Sequence, residues 1–131
     1  MSAVEYLNPA GLHRIPGALT ACVVVRSAGL VFLSGQVAWD EHGALIGDDH
    51  FAQMRQIVRN LDLALAAAGS GRDLIVKETV YVVDHQPELL PGLLVPLRTS
   101  GAEPPASTLA GVSALFAPGV LVEVDVVAAL R

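Results

Sequence analysis

Short hydrophobic runs alternate with polar breaks along this sequence, and most of the runs have the length of a β-strand. Residues 21–25 and 30–33 are rich in valine and leucine, and the short break that ends at Gly29 predicts a β-hairpin between them. Three more strands are predicted over residues 74–83, 108–115 and 120–127, with a turn at residues 117–119 joining the last two. In strand 74–83 the two-residue repeat assigns one face to Val76, Val80 and Val82 and the other to Lys77, Thr79 and Tyr81.

A helix is predicted between the second and third of these strands, because apolar residues recur there at steps of three and four. Asp48 or Asp49 caps its first turn, and glycines at 69 and 71 end it. Its apolar face is expected to contain Phe51, Met54, Val58, Leu61, Leu65 and Ala68. Residues 84–100 are leucine-rich but contain three prolines, so any helix there is short or kinked.

The element order β-β-α-β-(α)-β-β predicts one α+β domain over residues 1–131, preceded by an irregular N-terminal arm at residues 1–16. Two helices would cover one face of a mixed sheet. The other face would stay open and would need a second subunit to cover it.

Composition supports that expectation. Hydrophobic residues make up 53% of the 131 residues and charged residues only 16%, with a mean hydropathy of +0.54. No apolar run approaches the roughly 18–20 residues of a spanning helix, so we expect no membrane segment, and the excess apolar surface instead favours an oligomer. The net charge of −5 disfavours nucleic acid as a partner.

The sequence contains only weak signals for a metal or cofactor site. The sequence has no glycine-rich nucleotide-binding loop and no nucleophile elbow, so no cofactor is expected. His42 and His50 lie among acidic residues, but a solvated turn and a capped helix start explain them better than a metal site does. Cys22, the single cysteine, lies in a valine run and is expected to be a buried hydrophobic residue. The lack of a disulfide or a secretory signal favours a cytoplasmic location.

Four segments together resemble the RidA family, also called YjgF or endoribonuclease L-PSP-like. They read LVFLSGQ at residues 30–36, VKETVYVVD at 76–84, PPASTL at 104–109 and LVEVDV at 121–126. The resemblance extends from about residue 8 to residue 129. Each segment alone is a weak signal, but their joint order is specific.

The resemblance implies a chorismate-mutase-like fold that assembles as a homotrimer, with a small-molecule cleft at each seam between subunits. It also implies hydrolysis of enamines and imines, such as 2-iminobutanoate and 2-iminopropanoate, to 2-oxo acids and ammonia. In such enzymes an arginine in a Pro-Ala-Arg-Ser/Thr motif binds the substrate carboxylate, because a guanidinium matches a carboxylate bidentately.

Transferred to this chain, the resemblance assigns water positioning or general-base catalysis to Glu123. It assigns ligand contacts to Ser34, Gly35 and Gln36 at the end of the first of these segments, and to Ser107 and Thr108. The arginine position is occupied by Ala106, and the tyrosine expected near residue 18 is replaced by Ala18 or Leu19. Arg14 is the nearest substitute cation in the sequence.

Two functions stay open at this point. The first is a divergent deaminase or hydrolase of C–N bonds, with little or no activity on the family's usual imino acids. The second is a non-catalytic ligand-binding or scaffold trimer, whose cleft of Ala106, Leu19 and Phe32 would favour a neutral or aromatic molecule. Ribonuclease activity is disfavoured, because the sequence has no basic aromatic surface.

Overall fold

The computed structural model describes residues 3–131; Met1 and Ser2, which belong to the predicted arm, lie outside the described residues. The strands are β1 Val4–Leu7, β2 Cys22–Val25, β3 Leu30–Leu33, β4 Ile75–Val83, β5 Ala106–Val112 and β6 Val122–Ala129. They form one sheet in the order β1-β2-β3-β6-β4-β5. Only β4 and β5 run parallel, so the sheet is mixed, as predicted.

The predicted hairpin is confirmed, since β2 and β3 pair antiparallel around a 3-10 turn that ends at Gly29 in the left-handed conformation. The prediction of an irregular arm over residues 1–16 is wrong in its first part. Val4–Leu7 forms β1 and pairs with β2 along its whole length. Four residues carry too short a pattern to predict a strand, and β1 forms because β2 offers it an unpaired edge.

The last two strands have different bounds from those predicted. β5 begins at Ala106 and ends at Val112, because it follows its parallel partner β4 from Lys77↔Ala106 to Val83↔Val112. β6 begins two residues later than predicted, at Val122. β4 lies between β5 and β6, so the connection that contains the 117–119 turn crosses over a strand.

A β-bulge changes the predicted faces of β4. Ile75 pairs with Ala128 and Lys77 with Val127, which leaves Val76 as an extra residue. Ile75 is consequently buried, Val76 is 46% exposed, and Glu78 points into the core with 1% exposure. The prediction that Val76 shares a face with Val80 and Val82 is therefore wrong. The side chains of Lys77, Thr79 and Tyr81 share the other face, as predicted.

The long helix α1 spans His50–Ala67, and Asp49 caps it by accepting a hydrogen bond from the Ala52 N–H at 2.8 Å. Gly69, at φ 81°, follows its last turn. Its buried face consists of Gln53, Met54, Ile57, Asn60, Leu61, Ala64 and Leu65. This face includes two amide side chains, those of Gln53 and Asn60. It is rotated around the helix axis relative to the predicted apolar face, so Phe51 is 38% exposed.

The proline-rich segment forms a short helix α2, Leu90–Leu94, between two 3-10 turns, which confirms the expectation of a short helix. Leu93 and Leu97 anchor it in a single core shared with α1 and the inward side chains of the strands. Both helices cover the same face. On the opposite face Phe32 is 43% exposed. No helix within residues 3–131 is long and apolar enough to cross a bilayer.

Candidate functional site

A cavity of about 380 Å³ opens between the loop that precedes β2 and the segment that follows β3. Its size lies within the usual range for small-molecule sites. Of the residues expected to bind a ligand, it brings together Leu19, Ser34, Gly35, Gln36 and Glu123.

The Glu123 carboxylate lies directly above Gly35. A Cβ atom at position 35 would collide with Glu123 Oε2 and would lie 2.8 Å from its Cδ. Glycine at position 35 therefore leaves the space beside its Cα open for the carboxylate in its present place. This packing fixes the carboxylate at the wall of the cavity.

Two causes raise the pKa of Glu123 above the ordinary value for a glutamate: burial first, and then the negative charge of Asp125 on the same strand. Tyr81 lies on the neighbouring strand and donates a hydrogen bond to Asp125 Oδ2 at 3.2 Å. The same aspartate is the main cause of a raised pKa for Tyr81. Glu123 is thus a half-buried carboxylate in a negative environment.

The backbone around Gly35 is held from both sides. Ser34 Oγ donates to the Thr20 carbonyl at 2.5 Å, and the Gln36 N–H and carbonyl bridge Val124 on β6 at 2.7 and 3.0 Å. The Gln36 side chain turns back and donates to the Ser34 carbonyl at 3.0 Å. Pairing with β6 therefore fixes the position of Gly35 relative to Glu123, which lies on the same strand β6.

The remaining predicted ligand contacts do not line this cavity. Ala106 borders a second depression of about 330 Å³, together with Pro104, Pro105 and Glu103. Glu123 pairs with Tyr81, and Tyr81 pairs with Ala110. Two strand spacings and four residues thus separate Ala106 from Glu123, a distance of about 16 Å. One small molecule cannot contact both residues within one chain.

Arg14 is exposed and does not line the cavity, so the structure does not place this cation where the missing arginine would act. Phe32 also lies elsewhere, on the open face of the sheet. Leu19 does line the cavity and is 45% exposed.

Sequence reasoning missed a buried ion pair beside Ala106. Arg98 donates from both terminal nitrogens to Glu78, at 2.9 and 2.7 Å, and Ser107 Oγ donates to Glu78 Oε2 at 2.6 Å. The interaction with Glu78 raises the pKa of Arg98. The Ser107 hydroxyl therefore donates its hydrogen bond within this cluster and not to a ligand in the cavity. The two-residue repeat places Glu78 on the inward face with Val80 and Val82, but the sequence carries no signal that Arg98 and Ser107 meet it there.

Lys77 lies on the open face, directly opposite Ala106 in the register of β4 and β5. Its ammonium donates to Thr108 Oγ1 at 2.7 Å and to the Glu78 carbonyl at 3.2 Å. Thr108 thus accepts a hydrogen bond from the lysine, and a positive charge stands near the position where the family resemblance expects arginine.

Three aromatic rings form one wall of the cavity, a feature that the sequence did not predict. The ring of His13 meets Trp39 edge-on with centroids 5.1 Å apart, and Trp39 meets Phe116 in the same way at 5.1 Å. These residues come from three separate loops, so no periodic pattern connects them.

The other candidate ligands have ordinary structural roles. His50 Nε2 lies 2.6 Å from the Val83 carbonyl, and His42 is exposed in a turn. Burial raises the pKa of Cys22 to about 11, so this buried thiol is protonated at neutral pH, as expected for a core residue. In the described chain, no three His, Cys, Asp or Glu side chains are grouped as metal ligands.

The family model described as endoribonuclease L-PSP matches residues 17–130, which is most of the chain. The chain belongs to this family. Its Rid members include a Yersinia pestis protein of unknown function, YyfA, whose crystal structure superposes with a TM-score of 0.85. That protein is 27% identical, and the match covers 98% of this chain and 100% of the other.

A second Yersinia pestis protein of the Rid family, YyfB, is 32% identical with a TM-score of 0.75, over 98% of this chain and 100% of the other. A RutC family protein of Aquifex aeolicus is 36% identical over 60 residues. That match covers 46% of this chain, and this chain spans about half the length of the Aquifex protein. The fold is thus that of the Rid family.

Proposed function

We propose that this chain is a Rid-family hydrolase that acts on C–N double bonds, an imine or enamine deaminase whose substrate lacks the small amino-acid carboxylate. The Glu123 carboxylate above Gly35 carries the proposal. Its raised pKa makes it a stronger base than an exposed glutamate, which fits the task of activating water.

In the proposed reaction, the oxygen of a water molecule attacks the carbon of a protonated imine, and the π electron pair moves to nitrogen. Glu123 accepts one proton from this water and returns it to the nitrogen. The C–N bond of the resulting carbinolamine then breaks as its hydroxyl loses a proton. The iminium ion and water thus give a carbonyl compound and ammonium, with no change in oxidation state.

A second copy of the chain is expected to complete the site, in a homotrimer with one cleft per seam. The separation of about 16 Å between Ala106 and Glu123 within one chain supports this assignment. The exposed Phe32 on the uncovered sheet face supports it as well. The buried, unpaired Cys22 agrees with a cytoplasmic location.

Ala106 determines the expected substrate preference. Alanine offers no donor to a carboxylate, and a charge-assisted hydrogen bond contributes about 1.5–3 kcal/mol. Activity on 2-iminobutanoate is therefore expected to be weak. Lys77 provides a point charge near this position but is already engaged with Thr108.

The test follows imine hydrolysis directly. An amine oxidase or amino-acid oxidase generates imines in situ, and the carbonyl product is followed against the spontaneous rate. We expect acceleration with at least one imine that lacks a carboxylate, and loss of at least tenfold in Glu123→Gln. The variant Ala106→Arg is expected to gain activity on 2-iminobutanoate.

A folded protein that accelerates no imine in this panel contradicts the proposal. The second function, a non-catalytic ligand-binding or scaffold trimer, would then stand. It is favoured by the apolar residues that line the cavity, among them Leu12, Ile15 and Leu19.

A further inference from the structure

The aromatic wall of the cavity is held in place by two buried amides of α1. Asn60 donates to the carbonyls of Val37 and Trp39 at 3.1 and 2.9 Å, which fixes the backbone on which Trp39 stands. The Trp39 backbone also bridges Leu45. Because Asn60 is 5% exposed, these hydrogen bonds are protected from water.

Gln53 holds the loop that carries Phe116 from the other side. Its amide donates to the Gly119 carbonyl at 2.9 Å and accepts from the Leu121 N–H at 2.9 Å. His13 is confined as well, since a Cβ at Gly43 would lie 2.9 Å from its ring. The three rings are therefore positioned before any ligand arrives, which lowers the entropic cost of binding.

Two of these rings stay partly exposed, so they can still contact a ligand. Phe116 is 61% exposed and Trp39 is half-buried, although the two rings meet edge-to-face. A cavity of about 150 Å³ holds one benzene ring. The space of about 380 Å³ therefore accommodates a further ring against Trp39, together with a polar group that reaches Glu123.

The charged side chains that line the cavity determine which polar group of a ligand can bind there. Among the described residues that line it, Glu123 is the acidic one, and none is lysine or arginine. Within one chain, an anionic group in this cavity would lie beside the Glu123 carboxylate with no lysine or arginine in the lining to compensate its charge, which is unfavourable. A protonated amine, an iminium or a neutral N–H donor is complementary to Glu123.

We infer that the Trp39 end of this cavity is a subsite for a planar aromatic group, and that the nitrogen of the same ligand is directed at Glu123. This inference rests on the proposed function and deepens it, because it names the substrate class as aromatic imines without a carboxylate. The aromatic subsite selects the substituent, and Glu123 acts at the C–N bond.

Trp39 is the only tryptophan of the chain, so its fluorescence reports directly on the subsite. The full-length protein is titrated with benzylamine, with benzoate and with cyclohexylmethylamine. Benzylamine differs from benzoate in charge and from cyclohexylmethylamine in planarity. We expect a saturable change with benzylamine, at a dissociation constant at least tenfold lower than that for benzoate and at least threefold lower than that for cyclohexylmethylamine.

Two variants test the assignment of each end. Glu123→Gln is expected to remove most of the preference for benzylamine over benzoate. Phe116→Leu is expected to weaken benzylamine binding three- to tenfold with little effect on cyclohexylmethylamine, as the loss of one edge-to-face ring contact requires. Phe51→Leu is the matched control, since Phe51 is also an exposed phenylalanine but does not line the cavity.

Equal or tighter binding of benzoate overturns the assignment of Glu123, and absence of a saturable signal with benzylamine overturns the aromatic subsite. The proposed function fails separately: benzylamine binding without hydrolysis of the imine derived from it leaves the subsite intact and removes catalysis.

Discussion

Gly35 leaves open the space that the carboxylate of Glu123 fills, so one position provides the room and the other the chemical group. Both positions are held by β6, which carries Glu123 and pairs with the backbone of Gln36. The geometry of the carboxylate is thus a property of two segments that are distant in the sequence.

The variant Gly35→Ala is expected to displace the Glu123 side chain while the fold is retained. The new Cβ would meet the outer atoms of a flexible side chain rather than backbone, so we expect a loss of stability below about 1 kcal/mol. Activity or benzylamine affinity should fall at least tenfold. In the Glu123→Gln background the same substitution should have little further effect on activity, and additive losses would contradict the relationship.

The raised pKa of Glu123 should contribute to the pH dependence of the unfolding free energy. Its pKa is raised in the folded protein, so the ionised form is disfavoured there; this cost is fully present at high pH and is lost as the pH falls below the unfolded-state pKa. Glu123→Gln should therefore raise the unfolding temperature at pH 8 and have little effect at pH 4. A difference that grows toward acid would contradict this.

Glu5 provides a control of opposite sign. Its hydrogen bond with Arg26 lowers the pKa of Glu5, so the stabilisation is present at neutral pH and is lost as the pH falls through the lowered pKa. Glu5→Gln should lower the unfolding temperature slightly at pH 8, and the effect should fade toward acid.

The buried cluster of Glu78, Arg98 and Ser107 should be a major determinant of stability. Arg98→Met leaves an almost fully buried carboxylate with one hydroxyl partner, and we expect a loss of about 3 kcal/mol in the free energy of unfolding. Urea denaturation at a fixed protein concentration measures it. The double variant Glu78→Met with Arg98→Met should recover most of the loss.

Arg26→Met is the matched control for Arg98→Met, because Arg26 forms a similar bidentate pair with Glu5 on the surface. Solvent screens this pair, so its removal should have only a marginal effect. Equal losses from the two substitutions would show that burial of Glu78 is not the cause.

Phe32 should determine assembly. It projects from the face of the sheet that the helices leave uncovered, and Phe32→Glu places a charge there. Sedimentation should give a mass of three 13.6 kDa chains for the unmodified protein and of one chain for the variant. The substitution Phe51→Glu on α1 should leave the assembly unchanged. A single-chain mass for the unmodified protein would contradict the proposed trimer.

Features encoded within one element could be predicted from the sequence. The hairpin around Gly29 and the helix capped by Asp49 follow from local turn chemistry and from a repeat of three and four. The same patterns predicted the order of the elements after β1, and the resemblance to the family assigned Gly35, Gln36 and Glu123 to one ligand site.

Features that depend on pairing between distant segments could not be predicted in this way. β1 exists because β2 has a free edge, and the exposure of Val76 depends on a bulge against β6. The ring contacts of His13 and Trp39 join two loops whose approach is set by the core beneath them. A single sequence contains no periodic signal for such contacts.

The bulge on β4 also makes the length of this strand adjustable. Removal of one residue from a strand normally turns every later side chain to the opposite face. Deletion of Val76 is an exception, because Ile75 would still point inward, Lys77 outward and Glu78 inward. β4 therefore contains a position at which a deletion preserves the whole arrangement, and the chain can shorten there without losing its buried ion pair.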